Sequence, residues 1–201
     1  SLTISSFCFP QLNVELGATF GQSYYVGDLN TTSHFTSDLL NTGFSVFIRN
    51  NFDGRWSWKN QILIAKVNGD DALSSNPTNN LRNLSFNSPI YEFSSVFEFN
   101  FLEYRNFNEN DKISPYLFGG LGVFYMEPKT ELNGNLYDLR LLMTEGQTES
   151  YNRVNLNIPI GIGIKARILQ RLSINIAWGM RKTFTDYLDD VSGFYPDPSK
   201  V

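Results

Sequence analysis

The stretch Arg153 to Ala166, RVNLNIPIGIGIKA, decides the fold. Val154, Leu156, Ile158, Ile160, Ile162, Ile164 and Ala166 take every second place, and Arg153, Asn155, Asn157, Pro159, Gly161, Gly163 and Lys165 fill the places between. Successive side chains of an extended chain point to opposite faces, so a period of two is a β-strand with one apolar face. A run of this length exceeds the roughly five or six residues typical of strands in globular proteins.

The pattern recurs along the chain. In 172–181, LSINIAWGMR, Leu172, Ile174, Ile176, Trp178 and Met180 share a face; in 91–101, YEFSSVFEFNF, Tyr91, Phe93, Phe97, Phe99 and Phe101 oppose Glu92, Ser94, Glu98 and Asn100. Residues 42–49 align Phe44, Val46 and Ile48, with Arg49 on the other side, and residues 13–22 align Val14, Leu16, Ala18 and Phe20 against Asn13, Glu15, Gly17 and Thr19. Two strands are less regular, 56–67 and 115–126. In the second, PYLFGGLGVFYM, both faces are apolar, and Gly120 and Gly122 are expected to leave room for an aromatic ring from a neighbour, as in curved sheets. Seven strands are readable in this way.

Their links alternate in length. Long segments at about 26–41, 68–88, 127–151 and 183–201 take turns with the short NNFDG at 51, the shorter 103–112 and ILQR at 168. All long loops then fall at one end of the sheet and all short turns at the other, the layout of an outer-membrane barrel. A soluble sandwich or lipocalin-like barrel would also alternate, but its polar faces meet water and are rich in Lys and Glu. Here those faces are Gly, Ser, Asn and Thr with sparse charges, which suits the side-chain-filled lumen of a barrel of about eight strands. The expected fold is therefore all-β: a transmembrane, antiparallel, up-and-down barrel with no significant helix, in the bacterial outer membrane.

The charges available to the lumen are Glu15, Arg49, Glu92, Glu98, Arg153, Lys165 and Arg181, and ion pairs among them are expected, because a buried charge without a partner costs several kcal/mol. Trp56, Trp58, Tyr91, Tyr116, Tyr125 and Tyr151 fall near strand ends, where amphipathic rings rest at a lipid interface. A single-chain barrel needs an even strand number, so a closing strand of about ten residues is expected to lie outside this chain. Residues 11–201 form one barrel domain on this reading. Residues 1–10, uncharged and largely apolar through Phe9, read as the remainder of a secretory signal or a mature N-terminal extension. Phe7 is too large for a lipoprotein cleavage site before Cys8.

Composition narrows the chemistry. Sixteen basic residues against 20 acidic ones leave no electrostatic footprint for nucleic acid. Charged residues are only 18% of the chain and aromatics 15%, an excess of large apolar side chains that need somewhere to go. One cysteine, Cys8, and one histidine, His34, exclude an internal disulfide and a cysteine or histidine metal cluster. No run of eighteen apolar residues offers a transmembrane helix. No hydrolase elbow, P-loop, dinucleotide fingerprint or zinc signature appears; GGLGVF at 119–124 lies inside a strand, and His34 sits in a polar loop without a partner in view. The reading is of a non-enzymatic chain with no cofactor and no small-molecule substrate.

Acidic loop residues remain: Asp28, the pair Asp70 and Asp71, and Asp186, Asp189 and Asp190, all on the long-loop end. The ligand ladder of an EF-hand is missing, and pairing with Arg82, Arg140 or Lys182 is favoured over calcium. These loops also carry a resemblance. YYVGDLN, GDD followed by RNLSFNSPIYEFS, SPYLFGGLGVFYMEPK, LLMTEGQ and RKTFTDYLDDVSGFY, in order from about residue 12 to 197, resemble the PorG-type family of outer-membrane barrel subunits of the type IX secretion system. The resemblance implies a structural part in protein export and, in some bacteria, gliding. It also implies linkage of outer-membrane lipid surroundings to a periplasmic ring made of a lipoprotein and its partner subunit. The competing reading is a stand-alone small barrel, an adhesin-like or ligand-binding surface protein working through its long acidic loops. A small pore is disfavoured by the filled lumen.

Overall fold

A computed structural model of the chain describes residues 2–4, 9–11, 14–24, 40–70, 85–104, 112–132, 135–138, 152–169 and 172–184. The described strands are β1 (Leu2–Ile4), β2 (Phe9–Gln11), β3 (Val14–Ser23), β4 (Asn41–Asn51), β5 (Trp56–Asp70), β6 (Ser85–Asn100), β7 (Ile113–Met126), β8 (Lys129–Leu132), β9 (Asn135–Asp138), β10 (Val154–Leu169) and β11 (Leu172–Thr183). Among the described residues there is no helix.

Every pairing is antiparallel, and the long strands follow one another in chain order from β3 round to β11. The sheet curls until β11 and β3 meet across β1, which makes an eight-stranded up-and-down barrel. The sequence left this seam open and expected its filler outside the chain. In the structure Leu2 lies opposite both Trp178 and Gln22, and Ile4 opposite Ile176 and Phe20. β2 continues down the same edge of β3, with Phe9 opposite Leu16 and Gln11 opposite Val14. Segments of three residues hold too few alternations to announce themselves, so periodicity could not have found them.

Alternation is the sorting rule throughout. On β10, Val154, Leu156, Ile160, Ile162 and Ile164 are exposed on the outside, while Asn157, Pro159, Gly161 and Lys165 are buried within. β6 repeats this, with Tyr91, Phe93 and Phe97 outward and Glu92, Ser94, Glu98 and Asn100 inward. Strand partners trace an oblique row of outward side chains, Phe20, Phe44, Ile64, Tyr91, Tyr125 and Val154, that climbs from the middle of β3 to the first residue of β10. Such staggering is what closing a tilted sheet requires.

Glycines make the interior fit. Gly17 faces the ring of Phe47, Gly161 and Gly179 face the ring of Phe118, and any side chain at these sites would collide with it. The aromatic-over-glycine arrangement expected at Gly120 and Gly122 is thus built at other positions. Gly120 lies against the backbone of Ser95 and Val96, and Gly122 against the Asn157 side chain.

The β4–β5 turn is set by Asp53, whose Oδ1 accepts from the backbone N–H groups of Arg55 at 2.7 Å and Trp56 at 2.6 Å, an Asx turn. The chain from Phe52 through Arg55 spans this end, and β10 passes to β11 across only two residues. At the other end β8 and β9 form a hairpin that extends β6 through Asn87 and Lys129.

Candidate functional site: the charged lumen

Two layers of ionic side chains fill the barrel. The first lies toward the short-turn end, where β3 begins, β4 and β6 finish and β10 nears its close. Its centre is Glu98, 0% exposed. Arg49 Nε stands 2.8 Å from Glu98 Oε2, Lys165 Nζ 2.6 Å from the same oxygen and Lys59 Nζ 3.4 Å from Oε1. Arg49 also donates from Nη1 to Glu15 Oε2 at 2.6 Å, and Asn51 donates to Glu15 Oε1 at 2.7 Å. One guanidinium therefore bridges two carboxylates, and one carboxylate serves three cations. Its planar fork suits Arg to that place, while Lys acts as a compact point charge. Aromatic rings take part: Arg49 lies over Phe47 at 4.8 Å, and Lys165 over Tyr116 at 4.5 Å.

The second layer lies toward the long-loop end. Arg181 Nε and Asn157 Nδ2 both donate to Glu92 Oε2, each at 2.7 Å. Arg181 keeps 29% of its side chain exposed, whereas Glu92 is fully enclosed. Phe47 and Phe118, seated on their glycines, lie beside the first layer, with Lys59 Nζ 5.7 Å from the Phe47 ring centre and 5.3 Å from that of Phe118.

The structure brings together most of the charges expected in the lumen and moves one away. Glu15, Arg49, Glu98 and Lys165 meet in the first layer and Glu92 and Arg181 in the second. Arg153 instead lies at the long-loop rim, just before β10, 3.6 Å from Glu127 and 3.3 Å from the Tyr125 hydroxyl. Sequence reasoning missed Lys59, because β5 reads WSWKNQ with polar residues on both faces; counting parity from Trp56 and Trp58 would have turned Lys59 inward. Tyr116, expected at a lipid interface, is 1% exposed inside the lumen, with its hydroxyl 3.3 Å from Asn175 Oδ1. It shares parity with Ser114 and Phe124, and Gly163 gives its ring room. Trp56, Trp58 and Tyr91 are exposed on the outer wall, and Tyr125 is half-buried there.

Of the acidic loop residues, Asp70 closes β5 opposite Ser85 by its backbone. Asp28, Asp71, Asp186, Asp189 and Asp190 lie outside the described residues, as do Arg82, Arg140, Tyr151, His34 and Cys8. Among the described residues no group of three or more His, Cys, Asp or Glu side chains is placed to hold a metal ion, and no helix is long and apolar enough to cross a membrane, which says nothing of strands.

At the short-turn end, just after β6, Tyr104 is 2% exposed and its ring centre lies 6.0 Å from Lys165 Nζ. Its hydroxyl donates to Ser173 Oγ at 2.6 Å. Burial holds the Tyr104 phenol above its ordinary value, so the hydroxyl stays a donor.

A family model described as "Domain of unknown function (DUF6089)" matches residues 2–200, nearly the entire chain. The chain belongs to the DUF6089 family. No curated protein and no solved structure matches it. The DUF6089 match spans β1 at one end and the tail beyond β11 at the other, so the short seam strand and the long strands fall within one family unit.

Proposed function

We propose that this chain is an outer-membrane β-barrel that serves as a structural, non-enzymatic subunit of a type IX secretion system, anchoring a periplasmic ring of a lipoprotein and its partner. The observation that carries the membrane part is the inverted polarity of the wall. Leu121 is 68% exposed, Ile162 61% and Phe93 50%, while Glu98 and Glu92 are sealed inside. Water would favour the reverse, whereas a hydrocarbon surrounding makes it the stable arrangement. The exposed Trp56 and Trp58 beside Phe97 and Phe99 support an interfacial aromatic girdle at the short-turn end.

The assembly part rests on the loop motifs that resemble the PorG-type family. In that reading the short turns face the periplasm and the ring. The test is affinity purification of the chain from solubilised outer membranes, with deletion of its gene in parallel. Co-purification of a periplasmic lipoprotein complex and loss of protein export are the expected results. Normal export in the deletion strain, with the barrel still found in the outer membrane, would leave the membrane reading standing and remove the secretion reading.

A further inference from the structure

We infer that the outer wall is a wedge that imposes an uneven thickness on the surrounding bilayer, thin beside β3 and β4 and thick beside β10. The inference rests on the membrane reading above. It starts from where outward side chains change from apolar to polar at the long-loop end. The last apolar residues before that change are Phe20, Phe44, Ile64, Tyr91, Tyr125 and Val154, which are cross-strand partners in one row. The next residue of the same parity is polar on five of these six strands: Gln22, Thr42, Lys66, Glu127 and Asn152. On β6 it is Pro89, with exposed Asn87 above it. The boundary therefore follows a line of paired neighbours and not a level ring.

Such a line is oblique. The row through Trp56, Phe99, Leu117, Ile162 and Trp178 passes on through Leu2 to Gln22. It leaves the first residue of β5, beside a short turn, and comes round the barrel to the long-loop end of β3. Rows thus climb toward the long loops in the direction from β3 to β10. With strands about 4.8 Å apart and tilted about 40°, the five steps from Phe20 to Val154 raise the boundary by about 15 Å. The apolar face meanwhile lengthens, from Val14–Phe20 on β3 through Trp56–Ile64 on β5 and Ile113–Tyr125 on β7 to Val154–Ile168 on β10. At about 2.5 Å of height per tilted residue, the faces of β3 and β10 are about 15 and about 35 Å tall. Most of that difference is the climb of the upper boundary, so the lower one is close to level. From β3 to β10 the polar interruptions are Asn50, Asn60 and Ser95, all half-buried, and Ser95 accepts from Trp58 Nε1 at 2.8 Å.

Against the usual outer-membrane band of about 25 Å, β10 is too tall and β3 too short by about 10 Å each. Tilting the molecule would level one boundary only by tipping the other. Lipid can match the wall by thinning beside β3 and β4 and thickening beside β10, a modest cost for each ångström. The distortion falls in the leaflet at the long-loop end.

The test uses the full chain carrying Cys8→Ser, at no more than one barrel per vesicle, with a spin label on one introduced cysteine and the folded barrel confirmed by heat-modifiable gel migration. Thr42→Cys and Leu156→Cys lie on opposite walls, because three strands separate β4 from β10 on either side. They stand at nearly one height, since the boundary climbs about 12 Å between them. Phe52→Cys and Ile168→Cys form the matching pair at the lower boundary. Depth is read from relative exposure to oxygen and to a water-soluble nickel chelate. The label at position 156 is expected about 10 Å deeper than that at 42, while the lower pair agrees to within a few ångströms. Equal depths at 42 and 156 would mean a flat bilayer and overturn the wedge. A lower pair as uneven as the upper would mean a tilted barrel and overturn it as well. All four labels open to water would remove the membrane reading itself, and this inference with it.

Discussion

Glu98 concentrates more electrostatic consequence than any other described side chain. Removing it leaves Arg49 with Glu15 alone, and Lys59 and Lys165 without the carboxylate they share, in a space that is almost wholly enclosed. Breaking a buried ion pair from one side typically costs about 3–5 kcal/mol, and Glu98→Ala is expected to fall in that range or above it, measured as the shift in urea unfolding of the protein refolded into vesicles. Lys59→Met should cost far less, because Glu98 keeps two closer cations. A result in which Lys59→Met is the worse of the two would mean that Glu98 is not the centre of the layer. Steric effects make a second test at this scale. Gly161→Leu drives a side chain into the Phe118 ring and should destabilise by about 1–3 kcal/mol, as overpacking does; adding Phe118→Ala should recover part of the loss, a coupling that independent sites would not show.

At the scale of the element, β6 gives the sharpest contrast between its two faces. Phe93 and Glu92 are neighbours in sequence, yet one is half exposed on the outer wall and the other sealed in the lumen. In a membrane Phe93→Arg should destabilise by about 2–4 kcal/mol, the usual toll for a cation on the lipid face near mid-bilayer. In water the same change at an exposed site would be close to neutral. The sign of the effect, read from unfolding titrations in vesicles, therefore reports what surrounds the strand. Strand identity and parity were legible in the sequence wherever one face was purely apolar, as in β10 and β11. They blurred in β5 and β7, where Lys59, Tyr116 and Phe118 put large or charged groups on the lumen face. The glycines that seat Phe118 come from β10 and β11, while the ring comes from β7. Which glycine meets which ring depends on register between strands, and no single strand carries that information.

For the whole molecule, the outer wall predicts behaviour in solution. Exposed aliphatic and aromatic residues run around every long strand from β3 to β11, far beyond the few hundred Å² of contiguous apolar patch usual on a soluble monomer. The purified chain is expected to need detergent to remain monodisperse, and a folded monomer in plain buffer, seen by size-exclusion chromatography with light scattering, would refute the membrane reading. The filled lumen carries a matching expectation of no sizeable single-channel conductance in planar bilayers. Barrel architecture and loop asymmetry could be read from alternation and spacing alone. Closure could not, since the seam is filled by a segment too short to show a period, and the loop carboxylates that looked most like chemistry lie outside the described residues.

The pairs within the lumen join parts of the chain that are remote in sequence: Arg49 and Glu98 are 49 residues apart, Glu98 and Lys165 67, and Glu92 and Arg181 89. Glu98 finds Lys59 within its own β5–β6 hairpin, but Arg49 and Lys165 reach it from β4 and β10, and Arg181 reaches Glu92 from β11. On the membrane reading, a half-formed sheet would have to carry Glu92 into the hydrocarbon without Arg181, where that is prohibitive, or keep its concave side wet until nearly the last strand arrives. Assembly of this barrel is thereby pushed toward a single late event, in which curling, drying of the interior and mutual neutralisation of distant charges happen together.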